Sequence, residues 1–165
     1  QNPYLRVFVG GVTVVLLWMI TGTDTYLGLG GGTIAQSFAE PQKLWVFLLK
    51  ILFTCITLCS GFKGGEIVPS LFIGATFGSA LAPIFGLPVD ICAACGMVGV
   101  FCAVTNSPIS SLLIAFELFG FAGMPYFCTV IAVSYLLYGY QSLYKAQKIV
   151  YSKTENKYID RNTTS

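Results

Sequence analysis

The chain has 165 residues, of which 55% are hydrophobic and 10% charged, with a mean hydropathy of +0.76. Soluble domains carry about 25% charge, so this composition excludes an ordinary water-soluble domain. The net charge of +2 gives no overall basic bias of the kind that nucleic-acid binding uses. Residues 67–89, 91–116 and 118–144 are free of charge, and each run exceeds the roughly 18 apolar residues of a membrane-span candidate. A soluble domain of this size could not cover three such runs in succession.

In chain order, residues 3–20 read as a first apolar helix with Arg6 near its start. No charged segment with a cleavage site precedes it, so no signal peptide is expected; a chain starting at Gln1 reads as a fragment or processed product. Residues 21–32 form a loop rich in glycine and threonine, with Asp24 in it. Its glycine run is too permissive for a stable helix. It lacks the lysine and hydroxyl that close a phosphate loop, which excludes nucleotide binding. A short helix over 33–39 ends at Glu40 and Pro41, and a long one follows over 44–60. Lys50 inside it either snorkels to a polar boundary or faces protein.

The next segment is the most informative. Ser60-Gly61-Phe62-Lys63-Gly64-Gly65-Glu66-Ile67-Val68-Pro69 is a glycine-rich turn leading into an apolar run. Proline suits the first turn of a helix, where a missing N–H costs nothing. A helix beginning near Ile67 therefore presents bare amides and the positive end of its dipole, which attract anions. Beyond it the helices become short: 67–82, a break over 83–90, 91–104, a break at Thr105-Asn106-Ser107-Pro108, 108–119, a break over 120–125, and 124–139. Interrupted helices at membrane depth leave backbone groups without partners, and are tolerated where they line a cavity or site. Gly74 and Gly78 form a small-residue stripe for close helix approach.

Six cysteines (55, 59, 92, 95, 102 and 128) lie in apolar segments. Cys92 and Cys95 make a C-x-x-C, but with no histidine and no second C-x-x-C the redox and zinc readings lose to simple packing. Lys145, Lys148, Lys153, Lys157 and Arg161 crowd the end of the chain, which the positive-inside tendency places in the cytoplasm.

These motifs resemble the CLC chloride channels and transporters. The turn over 60–69 is similar to that family's anion-filter turn, continued by Gly74-Ala75-Thr76-Phe77-Gly78. Val104-Thr105-Asn106-Ser107-Pro108-Ile109, followed by Ala115-Phe116-Glu117-Leu118, resembles its later proline turn and glutamate-ended helix. Ser142-Leu143-Tyr144 is similar to its tyrosine element. The resemblance spans nearly the whole chain and implies an all-α integral membrane fold. It further implies the C-terminal half of an inverted-repeat CLC-type architecture with short, broken and tilted helices. Residues 1–144 would be the transmembrane half domain and 145–165 a cytoplasmic basic tail.

The function implied is chloride or other halide transport, as a channel or an anion/proton antiporter, without enzymatic activity or cofactor. The family's fluoride/proton antiporters are the alternative, and a non-transporting membrane scaffold is the reading from another class. An intramembrane enzyme is disfavoured, since no nucleophile has a plausible base. The resemblance assigns the anion to Gly64, Gly65 and the amides of Glu66, Ile67 and Val68, with the Tyr144 hydroxyl as a further donor. From the residues alone, Tyr144 also reads as an interfacial anchor beside Tyr138, Tyr140 and Tyr151. Glu66 has two readings: a proton acceptor coupled to the halide, or an acid stabilised by the helix dipole. A threonine common in the fluoride subset is Val68 here, and Glu117 reads as structural. The implied partners are a halide, protons, the bilayer of the cell membrane, the N-terminal half of the same protein and a second copy in a homodimer, with no nucleic acid. The serine turn and gating glutamate of the family's first half are not in this chain.

Overall fold

The computed structural model describes residues 2–144 and 146–163, so Lys145 of the basic cluster lies outside the described residues. Among them, seven α-helices precede one β-hairpin. The helices are α1 (Pro3–Thr21), α2 (Gly31–Ala39), α3 (Leu44–Cys59), α4 (Ile67–Phe85), α5 (Val89–Thr105), α6 (Pro108–Phe119) and α7 (Met124–Leu137). The hairpin pairs β1 (Lys148–Tyr151) with β2 (Tyr158–Asn162). Helices α1 and α4 are long and apolar enough to cross a membrane, while α3, α5, α6 and α7 are shorter apolar helices.

Local chemistry sets these boundaries. Asn2 caps α1, its Oδ1 accepting from the Tyr4 amide at 3.2 Å, and Pro3 occupies the first turn. Left-handed Gly22 ends the helix at φ 64°. Helix α1 is exposed along most of its length and meets α3 where Gly10 lies against Ser60. Prolines open α6 and α7 within their first turns.

The centre of the bundle is the α4–α5 seam. Gly74 and Gly78 of α4 face the backbone of Gly96 and Cys92 in α5. A β-carbon on Gly74 would lie 2.5 Å from the Gly96 carbonyl oxygen, so only glycine permits this approach. A second cluster joins Ala94, Val98 and Cys102 of α5 to Ala115 of α6 and to Phe127 and Ile131 of α7. The cysteines are free thiols, and Cys102 is fully buried in this cluster, which fits the packing reading.

Four boundaries differ from expectation by two residues or more, one of them the end of α7, which stops at Leu137 rather than at 139. Helix α4 does not stop at Ala82 but carries Pro83 and runs to Phe85. A proline this near the end removes one backbone bond only, and left-handed Gly86 (φ 65°) makes the actual stop. Helix α5 accordingly starts at Val89, behind Pro88. Helix α2 begins at Gly31, earlier than expected, because the first-turn amides of a helix need no internal partner and left-handed Gly30 (φ 70°) supplies the lead-in. The basic segment is also more than a tail. It folds into the hairpin, with Tyr151 opposite Tyr158 and their rings edge-to-face at 5.7 Å.

Candidate functional site

The glycine-rich turn links the buried end of α3 at Ser60 to the tip of α4. Gly61 takes φ 91°, a conformation that favours glycine. Glu66 stands at the helix N-cap with helical angles and makes no side-chain capping bond. The amides of Ile67 and Val68 therefore open the helix without intrahelical acceptors. Pro69 donates nothing, and the Ser70 hydroxyl turns back to the Ile67 carbonyl at 2.6 Å.

Beside this tip lies a cavity of about 510 Å³. Glu66, Pro69 and Ser70 form one wall, Thr54 of α3 another, and Gln141 and Ser142 a third. Among the described residues Glu66 has no ion-pair partner. Segment 141–143 is thus brought against the α4 tip from a distant part of the chain.

A dense set of bonds holds that segment. The Leu143 amide donates to the Val104 carbonyl at 2.9 Å, and Asn106 Nδ2 donates to the Gln141 carbonyl at 2.9 Å. Ser142 Oγ, buried, donates to Gln147 Oε1 at 2.7 Å and accepts from the Tyr144 amide at 3.2 Å. Asn106 itself takes a left-handed conformation (φ 53°), the break foreseen between α5 and α6. From the hairpin side, Lys153 Nζ donates to Asn106 Oδ1 at 2.6 Å and to the Tyr135 carbonyl at 2.7 Å. Thr163 Oγ1 donates to the Tyr144 carbonyl at 2.7 Å. Burial pushes the Lys153 ammonium below its ordinary value, a trend that the Cys102 thiol opposes.

The expected site residues are distributed as follows. Glu66 lines the large cavity. Gly64 and Gly65 line a smaller neighbouring one of about 110 Å³, with Lys50 and Gly28. Ile67 and Val68 are half-buried at the helix tip, on neither wall. Tyr144 is 49% exposed and is not on the wall of either cavity, although its neighbours are. Glu117 is exposed on α6, away from both. Sequence reasoning passed over Thr54 and Ser70, and placed Ser142 only within the tyrosine motif. Thr54 was within reach, since it stands one helical turn from Lys50 on the same face.

An acid, a helix tip with free amides and several hydroxyls around one cavity, all carried on interrupted apolar helices, define an integral membrane protein with a polar site. Residues 1–139 match the family described as voltage gated chloride channel. The chain is 41% identical over 155 residues to a chloride/fluoride channel protein of Pseudomonas syringae pv. tomato, covering 90% of this chain and 34% of that protein. The crystal structure of a CLC-type fluoride/proton antiporter superposes with a TM-score of 0.81 at 38% identity, covering 87% of this chain and 36% of that one. The chain belongs to the CLC family, and it spans about a third of the length of these relatives.

Proposed function

We propose that the whole protein carries a halide across the cell membrane and that this chain supplies part of its anion site. The observation that carries this is the convergence of the α4 tip, Thr54 and segment 141–143 on one cavity. Neutral amides and hydroxyls offer partial positive charge without a fixed partner, so an anion is bound yet can leave. The amides of Glu66, Ile67 and Val68 hold it, with Gly64 and Gly65 giving the backbone its freedom, and the Tyr144 hydroxyl is a further donor. The protein works as a homodimer, and the hairpin segment faces the cytoplasm.

Within this reading the position of Glu66 favours proton-coupled exchange. A carboxylate at the wall of an anion cavity repels the anion unless it takes a proton, so proton and halide occupancy are linked there. The likeness to a fluoride/proton antiporter makes fluoride a substrate to test beside chloride. The experiment is efflux of each halide from liposomes containing the full-length protein, with external pH recorded. Halide release with opposite proton movement is expected, and Glu66→Gln uncouples the two. A folded full-length protein that releases neither halide refutes the proposal.

A further inference from the structure

Lys50 is the feature that this account leaves unused. It sits in the middle of apolar α3, yet its side chain is only 2% exposed. It does not snorkel outward. Its Nζ turns inward, donating to the Gly28 carbonyl at 2.6 Å and the Tyr26 carbonyl at 3.2 Å, and lies 4.9 Å from the centre of the Phe72 ring. An ammonium has three donors, so these two carbonyls leave one free. The ring face is a further weak attraction for the ammonium. Among the described residues no carboxylate comes within 4.0 Å of it. A buried cation without a counter-charge is costly, and the side chain lines a cavity.

That cavity, about 110 Å³, is also lined by Gly64 and Gly65 of the glycine-rich turn. It shares Thr54, Leu58 and Pro69 with the large cavity that contains Glu66. The two spaces thus lie side by side around the base of α4, one walled by an acid and the other by a cation. The glycine loop has a purpose here as well. Gly30, without a side chain, leaves room for the Phe72 ring close to the loop whose carbonyls at residues 26 and 28 bond Lys50.

We propose that Lys50 is a fixed cation of the anion pathway, and that a halide entering the cavity shared with Gly64 and Gly65 is its counter-ion. The inference rests on the halide-transport reading and adds to it a charged residue outside the turn and tyrosine motifs. Lys50 attracts the anion to the turn through a cavity that Glu66 does not line, so anion and proton are held in adjoining spaces beside the same helix tip. A compact ammonium also suits a small, strongly hydrated halide better than a guanidinium does.

The test is halide binding to the full-length protein in detergent by calorimetry, comparing wild type, Lys50→Met and Lys50→Arg. Each variant is first checked for folding by elution and thermal unfolding. Halide affinity is expected to fall at least tenfold in Lys50→Met and to recover at least in part in Lys50→Arg. A bromide-soaked crystal of the wild type should show an anomalous peak within hydrogen-bond distance of Nζ, and this arm stands even where the variants do not fold. Undiminished affinity in folded Lys50→Met, or a carboxylate from elsewhere in the whole protein seated on Nζ in place of bromide, overturns the assignment while leaving halide transport intact. A wild type that binds no halide removes the transport reading and this one with it.

Discussion

Replacing Gly74 with alanine tests whether the α4–α5 seam holds the site in place. The added β-carbon would lie 2.5 Å from the Gly96 carbonyl oxygen and 2.8 Å from the Met97 α-carbon. Ordinary contact begins at 3.4 Å, so the helices must part locally by roughly 1 Å before repulsion ends. The atoms met are backbone, with no rotamer to change, which puts the cost at the upper end of overpacking, about 3 kcal/mol. That corresponds to about a hundredfold in the folded-to-unfolded ratio. The shift also moves the tip of α4, and halide affinity should fall with stability. The assay is thermal unfolding of the full-length protein in detergent, followed by tryptophan fluorescence, with halide titration on the folded fraction. Gly74→Ala unfolding at or above the wild-type temperature would refute the reasoning, because the close approach would then carry no constraint.

Gly32→Ala should act in the opposite direction. Nothing lies within 4 Å of the added carbon and the position is helical, so a gain of about 0.5–1 kcal/mol is expected in the same unfolding assay. Ser142→Ala removes a buried hydroxyl bonded to Gln147 and to the Tyr144 amide; a loss of about 1–3 kcal/mol should appear, with weaker halide binding in the titration. Tyr144→Phe should leave stability within about 0.5 kcal/mol, as the ring is half-exposed, and lower halide affinity if its hydroxyl is a donor. Lys153 carries a pH signature. Its folded value lies below the ordinary 10.5, so the unfolded chain binds this proton more tightly. Its contribution to stability is present above the ordinary value and lost as pH falls through the lowered one. The unfolding temperature of the wild type should therefore rise relative to Lys153→Met as pH climbs toward 10.5; a constant difference would contradict this.

Much of the helical order was legible because its signals are local. Pro108 marks a helix start, and the apolar run from Leu44 ends where the glycines begin. The start of α4 was legible because tandem glycines before a first-turn proline mark a helix entry. Pro83 misled because its effect depends on place: in mid-helix it would end α4, but near the last turn it is tolerated. The hairpin was hidden by its basic residues, which read as solvated tail, whereas Lys153 and Thr163 reach back to polar groups of the helical domain. The cavity walls were hidden for a related reason. Thr54 and Ser142 are small and isolated in sequence, and only the fold brings them to Glu66.

The site's geometry depends on one continuous frame. Small residues let α4 and α5 touch along their backbones, which fixes the tip of α4 relative to the far end of α5. At that end the Val104 carbonyl and Asn106 grip segment 141–143, so the wall opposite Glu66 is positioned by the same helix that positions Glu66. The hairpin closes the frame from outside, since Lys153 holds the Asn106 side chain while Gln147 bonds both Asn106 and Ser142. Loosening the seam at Gly74, or the Lys153–Asn106 bond, should therefore move a cavity wall without touching a residue that lines it. The joints nonetheless differ in kind. The seam resists by repulsion between atoms that cannot move aside, whereas the hairpin grips through hydrogen bonds that water can replace. A perturbation at Gly74 should accordingly be felt at the cavity more strongly than one at Lys153.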